Sequence, residues 1–247
     1  MLLWRSCIVP RWDGMSSRDI YALIHSPLVG PFTWRPVADQ MRQSGLNVIV
    51  PALNDSPDSN EHFWKQHASS VSSAFTNVAN DIPVIWVVHS GAGPLLPVLR
   101  RSIPNPAHAY VFVDAGIPRN AATRLDLMRS EDAAWAEQFK TFLDEGGRFP
   151  NWTMDDLKDI VPDEKLRHSL IAELHPRGLD FFTEPIPVFD GWPDAPCIYI
   201  QFSGAYNYDA TQARQAGWPT YKVEAGHFHM LVDAATVSNM IVKAAAT

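Results

Sequence analysis

The run Val84-Ile85-Trp86-Val87-Val88-His89 is apolar and β-branched, and it ends abruptly in Ser90-Gly91-Ala92-Gly93. No other stretch constrains the fold as much. It predicts a strand, a sharp turn and a helix, with the serine at the tip of the turn. So tight a turn strains the backbone and brings neighbouring segments close. Small residues must surround it, and Gly91, Ala92 and Gly93 supply them. The hydroxyl then projects above the sheet edge, where the helix N-terminus behind it favours developing negative charge. Ser90 is the candidate nucleophile.

Strand-like and helix-like segments alternate around this run, which predicts a doubly wound, mostly parallel α/β sheet. Strands are expected at 20–24, 46–50, 83–88, 107–113, 197–202 and 221–223, the fourth ending at Asp114. Helices are expected at 34–43, 60–80, 94–100 and 230–246. The second would turn Phe63, Trp64, His67, Val71 and Phe75 inward. Between Asp114 and Cys197 the alternation fails. That stretch is rich in Trp, Phe, Pro and charge, with helical fragments at 131–142, 154–160 and 164–174. A long insert on the carboxyl edge of a parallel sheet reads as a helical cap, or lid, over a pocket. The expected division is a core of 1–117 and 191–247 with a cap of 118–190.

At 247 residues the chain fits one α/β domain better than two, and 46% hydrophobic content lets it bury a sizeable core. A net charge of −7 without any basic run argues against a nucleic-acid partner. No apolar stretch reaches the roughly 18 residues of a membrane span, so none is expected. Cys7 and Cys197 lie far apart without metal-like spacing and read as buried thiols rather than a disulfide. Arg5, Arg11 and Asp13 break the apolar N-terminus, so no signal peptide is expected and a cytoplasmic location is the expectation. Met15 is an alternative start, and the first 14 residues read as an added edge strand or a frayed extension. A homodimer is compatible with the sequence but not dictated by it.

Serine is a weak nucleophile at its own pKa and needs a positioned base. His227, in Gly226-His227-Phe228-His229, follows the last strand after a glycine that permits a tight loop. Serine early and histidine near the C-terminus is an informative order. His229 is the second choice: in an extended segment it would share the face of His227 but sit further along, at a helix start it would swing away, and it is His227 that directly follows the glycine. His89 reads as a structural residue packed under the turn. Two carboxylates compete to orient the histidine. Asp114 closes an apolar strand, where a charge is costly unless exposed or paired. Asp209 follows the late strand, and its alternative role is a helix N-cap before 210–216. The residues alone leave the choice open.

From Ile20 onward the chain resembles the α/β-hydrolase superfamily. The resemblance rests on His25-Ser26-Pro27-Leu28-Val29-Gly30 with Trp34, on Val88-His89-Ser90-Gly91-Ala92-Gly93 and on Gly226-His227-Phe228. It looks like the small esterase-type and lyase-type members with a helical cap. The resemblance implies Ser90 as nucleophile and His227 as base. Val88 and Ala92 stand where the superfamily usually has glycine. The commonest acid position falls on Asn207, which carries no charge; an Asn207 holding the imidazole tautomer would give an acid-free dyad. Some members, haloalkane dehalogenases among them, place the acid at the end of the strand after the serine. That position matches Asp114, so the resemblance favours Asp114 over Asp209. An oxyanion hole needs N–H donors, one of them from Gly91. The other usually follows a His-Gly pair. Here the pair is His25-Ser26 and the next residue is Pro27, which has no N–H. Leu28 through a shifted loop, the Ser26 side chain, or an incomplete hole are the alternatives.

The implied activity is that of a serine hydrolase cleaving an ester or thioester of a small, fairly apolar substrate through a Ser-His-Asp triad and an acyl-enzyme. No metal or organic cofactor is implied. Ser26, Pro27, Trp135 and Trp152 are candidate substrate-binding residues, with Phe139, Phe181, Phe182 and Trp192 as further candidate walls. Two other readings share the scaffold. One is a lyase, cyclase or decarboxylase using the serine and histidine as acid and base, which Pro27 favours. The other is a small-molecule receptor.

Overall fold

The β-branched run becomes an interior strand of a six-stranded sheet. The computed structural model describes residues 18–56 and 58–246. Its strands are β1 (Ile20–Ile24), β2 (Asn47–Ile49), β3 (Val84–Ser90), β4 (Ala107–Ala115), β5 (Cys197–Gln201) and β6 (Thr220–Lys222). They lie in the order β2-β1-β3-β4-β5-β6, and every neighbouring pair is parallel. The chain steps outward from β1 to β2, then crosses back to β3 and continues the other way. This reversal is a topological switch point, where open α/β sheets bind ligands beyond the strand carboxyl ends. Ser90 ends β3 at that point. The expectations for residues 1–14 and for Cys7 lie outside the described residues.

Side chains alternate along the strands between two buried layers. One layer joins Tyr21, Leu23, Ile85, Val87 and Val111 to α1 (Arg35–Gln43) and α10 (Ala234–Ala245). The other joins Ala22, Trp86, Val88 and Phe112 to α2 (Phe63–Ala74), α3 (Leu96–Arg101) and α8 (Asn207–Gln215). Both faces are covered, so β3 needs the near-continuous apolar run that its sequence carries. Cys197 opens β5 as a buried free thiol, and burial pushes its pKa up to about 12.

The helix expected at 60–80 spans only Phe63–Ala74, and four further expectations need correction. First, β4 does not end at Asp114 but runs on to Ala115. Second, the helix after Ser90 begins late, at Leu96, because a 3-10 turn over Gly93–Leu95 comes first. Third, the closing helix is two pieces, α9 (His229–Val232) and α10; Asp233 breaks it and caps α10 by accepting from Thr236 N–H at 3.0 Å. Fourth, the segment between β4 and β5 holds α4 (Arg124–Glu131), α5 (Ala133–Asp144), α6 (Glu164–Ala172) and α7 (Leu179–Thr183). The fragment expected at 131–142 splits at Asp132, which caps α5 through Trp135 N–H. The one expected at 154–160 is a series of turns.

The β4–β5 segment has its own small core of Leu125, Phe139, Leu143, Phe181 and Phe182. Buried charges tie it to the sheet domain. Arg177 donates twice to Asp55, at 2.6 Å each, and Asp55 also accepts from His67 at 2.8 Å. Glu184 accepts from the Phe63 and Trp64 amides that open α2 and pairs with Arg124. Such pairs cost desolvation, and severing one would leave a charge stranded. The segment is thereby held against the carboxyl edge of the sheet.

Candidate active site

Ser90 adopts φ +57°, a strained value for a residue with a side chain. The close approach that the turn demands falls on Gly93. A Cβ there would stand 1.9 Å from the Gly116 carbonyl oxygen, so no side chain fits. Ala92 is fully buried with its methyl accommodated, which accounts for a tolerated departure from glycine. A Cβ at Gly91 would meet Ser26 Oγ at 3.2 Å, which places the Ser26 hydroxyl beside the residue that follows the serine.

Asp114 owes its position to an irregularity in the sheet. The β3–β4 register shifts between His89 and Ser90, so that His89 pairs with Val113 and Ser90 with Ala115. Asp114 is the extra residue, at φ +43°. Such a bulge turns its side chain out of the ladder's alternation. The carboxylate is fully buried and accepts from the Phe202 and Ser203 amides at 2.9 and 3.0 Å and from Ser203 Oγ at 2.6 Å. His227 Nδ1 lies 2.7 Å from Asp114 Oδ2. Burial alone would raise the Asp114 pKa. The hydrogen bond and charge of His227, with the Ser203 donors, outweigh it and hold the carboxyl below its usual range. An ionised Asp114 fixes the hydrogen of His227 on Nδ1 and leaves Nε2 to accept a proton.

His227 lies in the loop between β6 and α9. His89 is fully buried and donates from Nε2 to the His227 carbonyl at 3.0 Å. Its ring centroid is 4.3 Å from that of His227. Burial first, and His227 second, push the His89 pKa well below its usual value, so its ring is a neutral support. His229 opens α9 and faces Phe202. Asn207 opens α8 and accepts from Gln201 Nε2 at 2.6 Å. Asp209 is not a helix cap. It lies inside α8 and accepts from Ile117 N–H at 2.8 Å. Burial raises its pKa to about 6, against the pull of that amide.

On the other side of Ser90 the chain turns over Ser26-Pro27-Leu28-Val29. Val29 N–H donates to the Ser26 carbonyl at 3.1 Å, and proline suits the second position of such a turn. His25 Nδ1 also donates to that carbonyl at 2.8 Å, and its Nε2 accepts from Leu53 N–H. Burial lowers the His25 pKa to about 4, consistent with a neutral ring that uses both nitrogens. The turn aims the Leu28 amide at Ser26 Oγ, 3.3 Å away. The expected Leu28 N–H donor is thus directed onto Ser26.

Ser26, Ser90, Gly91 and His227 open onto a cavity of about 550 Å³. Leu28, Trp135, Phe149, Trp152, Phe182 and Phe228 form much of its apolar wall. Pro27 does not line it; it is buried against Gly91, its Cδ 3.7 Å from an ideal Cβ there. Phe139 and Phe181 fill the core of the β4–β5 segment, and Trp192 packs on Tyr110 instead. Among the residues that escaped the sequence reading are Ser203 on Asp114, Phe149 and Glu131 in the cavity lining, and Tyr206. The Tyr206 hydroxyl is 2.9 Å from Ser90 Oγ, and its ring stacks on His227. The one available signal was an aromatic in a glycine-containing loop at the carboxyl edge of the sheet. Among the described residues, no group of three or more His, Cys, Asp or Glu side chains suits a metal ion, and no helix is long and apolar enough to cross a membrane.

No family model matches the chain, and no curated protein matches it by sequence. Solved structures do match by fold. An extracellular α/β-hydrolase from a Paenibacillus species, described as sharing structural and functional homology with tobacco salicylic acid binding protein 2, superposes with a TM-score of 0.73 at 18% identity. That match covers 91% of this chain and 98% of the other. Tomato methylketone synthase I, in a variant complexed with β-ketoheptanoate, gives 0.68 at 16% identity over 92% and 97% of the two chains. Polyneuridine aldehyde esterase gives 0.69 at 12% identity over 92% and 98%. The chain has the α/β-hydrolase fold.

Proposed function

We propose that the protein is a serine hydrolase that cleaves an ester or thioester of a small, fairly apolar substrate. The observation that carries this reading is the Asp114–His227 pair at 2.7 Å, its carboxylate fully buried, with His227 and a serine held at φ +57° lining one cavity. Strain of that kind persists where the surroundings over-determine it, and it clusters at active sites. Ser90 Oγ attacks the acyl carbon as His227 Nε2 takes its proton. Asp114 holds the imidazole and stabilises the imidazolium. The oxyanion forms against Gly91 N–H and the Ser26 hydroxyl. Ser26 Oγ accepts from Leu28 N–H, so its own hydrogen is free to point at the oxyanion. Water then releases the acyl group from Ser90. The 118–190 segment acts as a cap whose aromatic side chains receive the apolar part of the substrate. Esterase and pyrethroid hydrolase activities are named for proteins of this fold, which supports the reading.

One observation favours a second reading. With Pro27 lacking an N–H and the Leu28 amide turned onto Ser26, a single backbone donor serves the oxyanion. A non-hydrolytic reaction with Ser90 and His227 as acid and base needs less of that hole. One experiment separates the two. A p-nitrophenyl ester chain-length series is run on wild type and Ser90→Ala, with fluorophosphonate labelling of Ser90. Labelling together with turnover that disappears in Ser90→Ala is the expected result. A labelled Ser90 that turns over no activated ester ends the hydrolase reading.

A further inference from the structure

Tyr206 makes a hydroxyl-to-hydroxyl contact with Ser90 that the proton relay leaves unused. The two oxygens are 2.9 Å apart. The Tyr206 ring lies nearly parallel to the His227 imidazole, with centroids 5.3 Å apart and 13° between planes. Tyr206 also lines the cavity. Strand order sets the side from which it arrives. β3 has β1 on one flank and β4, then β5 and β6, on the other. Ser26 follows β1, whereas Tyr206 follows β5 and His227 follows β6. The Ser26 hydroxyl, beside Gly91, and the Tyr206 hydroxyl, on Ser90, therefore lie on opposite flanks, and Tyr206 shares its flank with the base.

Burial raises the phenol pKa, more than the hydrogen bond to Ser90 lowers it, so Tyr206 keeps its proton at neutral pH. A neutral phenol has one hydrogen to donate. When Ser90 hands its own hydrogen to His227, the phenol is the donor of the Ser90–Tyr206 pair. In the tetrahedral adduct, Ser90 Oγ and the alcohol oxygen of the ester are bonded to the same carbon. A donor on Ser90 Oγ can turn to the alcohol oxygen when that oxygen lies on the donor's flank.

We propose that Tyr206 is a catalytic residue that donates a hydrogen bond to the departing alcohol oxygen, on the flank opposite the Ser26 hydroxyl. This rests on the serine hydrolase reading and adds a substrate class to it: esters of simple alcohols, whose alkoxides are strong bases. The bond between the acyl carbon and the alcohol oxygen breaks, and its electron pair goes to that oxygen. His227 Nε2 returns to it the proton taken from Ser90. The Tyr206 O–H donates to the same oxygen while negative charge builds there, and keeps its proton throughout. The acyl group stays on Ser90 as an ester and the alcohol leaves neutral. An alkoxide gains much from such a donor, whereas p-nitrophenolate, a weak base, gains little.

The test compares kcat/KM for the ethyl and the p-nitrophenyl ester of one acid, in wild type and Tyr206→Phe. Values are normalised to reactive Ser90 titrated with a fluorophosphonate. kcat/KM reads acylation, the step that expels the alcohol. The ethyl ester is expected to lose about 100-fold and the p-nitrophenyl ester less than about 5-fold. Equal losses on both esters, no loss, or a gain overturn the proposal and leave the hydrolase reading standing. A wild-type protein that turns over neither ester overturns the hydrolase reading and this proposal with it. If circular dichroism shows that Tyr206→Phe does not fold, 3-fluorotyrosine at position 206 takes its place. That side chain keeps the shape and is a stronger donor, so the ethyl-to-aryl rate ratio rises above wild type. An unchanged or lower ratio overturns the proposal.

Discussion

The two flanks of Ser90 are built to different standards. On the β4 side, Asp114 is fully buried, accepts four hydrogen bonds including the one at His227, and sits on a bulge that aims it. On the β1 side, the turn over Pro27 contributes no backbone N–H, and the next amide is spent on Ser26 Oγ. One flank is over-determined and the other depends on a single side-chain hydroxyl. On the proposed reading, such a site moves protons well, stabilises an oxyanion sparingly, and suits carbonyl groups that are already reactive, esters and thioesters before amides.

The largest expected effect comes from breaking the well-built flank. Asp114→Asn keeps the shape but lets the side-chain amide face His227, favouring the wrong tautomer. The expected loss in kcat is about 10⁴-fold on any ester the protein turns over. Asp209→Asn in the same assay stays within a few-fold of wild type. If the two variants exchange these results, Asp209 is the acid and the bulge at Asp114 serves only the fold. Ser26→Ala tests the sparse flank. With one backbone donor left, removing the hydroxyl is expected to cost about 10²–10³-fold in kcat with little change in KM. A loss under a few-fold would mean that the Leu28 amide turns back to the oxyanion once Ser26 Oγ is gone.

These flanks were not equally legible in the sequence. The serine turn was, because local pattern alone encodes a β-branched run ending in Ser-Gly-Ala-Gly. Pro27 was legible as a missing donor, because proline lacks an N–H in any conformation. The direction of the Leu28 amide was not, since it depends on the turn closing between Ser26 and Val29. Asp114 read as the end of a strand, whereas β4 continues past it. A bulge exists only relative to the neighbouring strand, and one chain segment does not reveal its register. The aromatics between β4 and β5 show the same limit. Trp135 and Trp152 reach the cavity, Phe182 lines it from the small core, and Phe139 and Phe181 only fill that core; composition does not tell these fates apart. Tyr206 was hidden for a similar reason: its partner is 116 residues away.

The smallest effect concerns the second carboxylate on the well-built flank. Asp209 is mostly enclosed, with Asp114 and Glu131 as acidic neighbours and Arg119 as the basic one. Its pKa is raised from 3.8 to about 6, so the folded state binds this proton more tightly than the unfolded state. Between roughly pH 4 and 6 the unfolded chain has released the proton and the folded chain still holds it. Stability therefore falls as pH rises through that window, and above it Asp209 is a standing cost. Asp209→Asn keeps an acceptor for the Ile117 amide and removes the charge. Near pH 4 the variant and wild type are expected to match in denaturant unfolding. Above pH 7 the variant is expected to be more stable, by about 1–3 kcal/mol. Asp114 carries the opposite sign: its lowered pKa gives stability that is lost only as pH falls through the folded value. A variant less stable than wild type at pH 8 would mean that the charge on Asp209 is welcome there. The asymmetry between the two carboxylates, one paired with His227 and one merely enclosed, would then have to be redrawn.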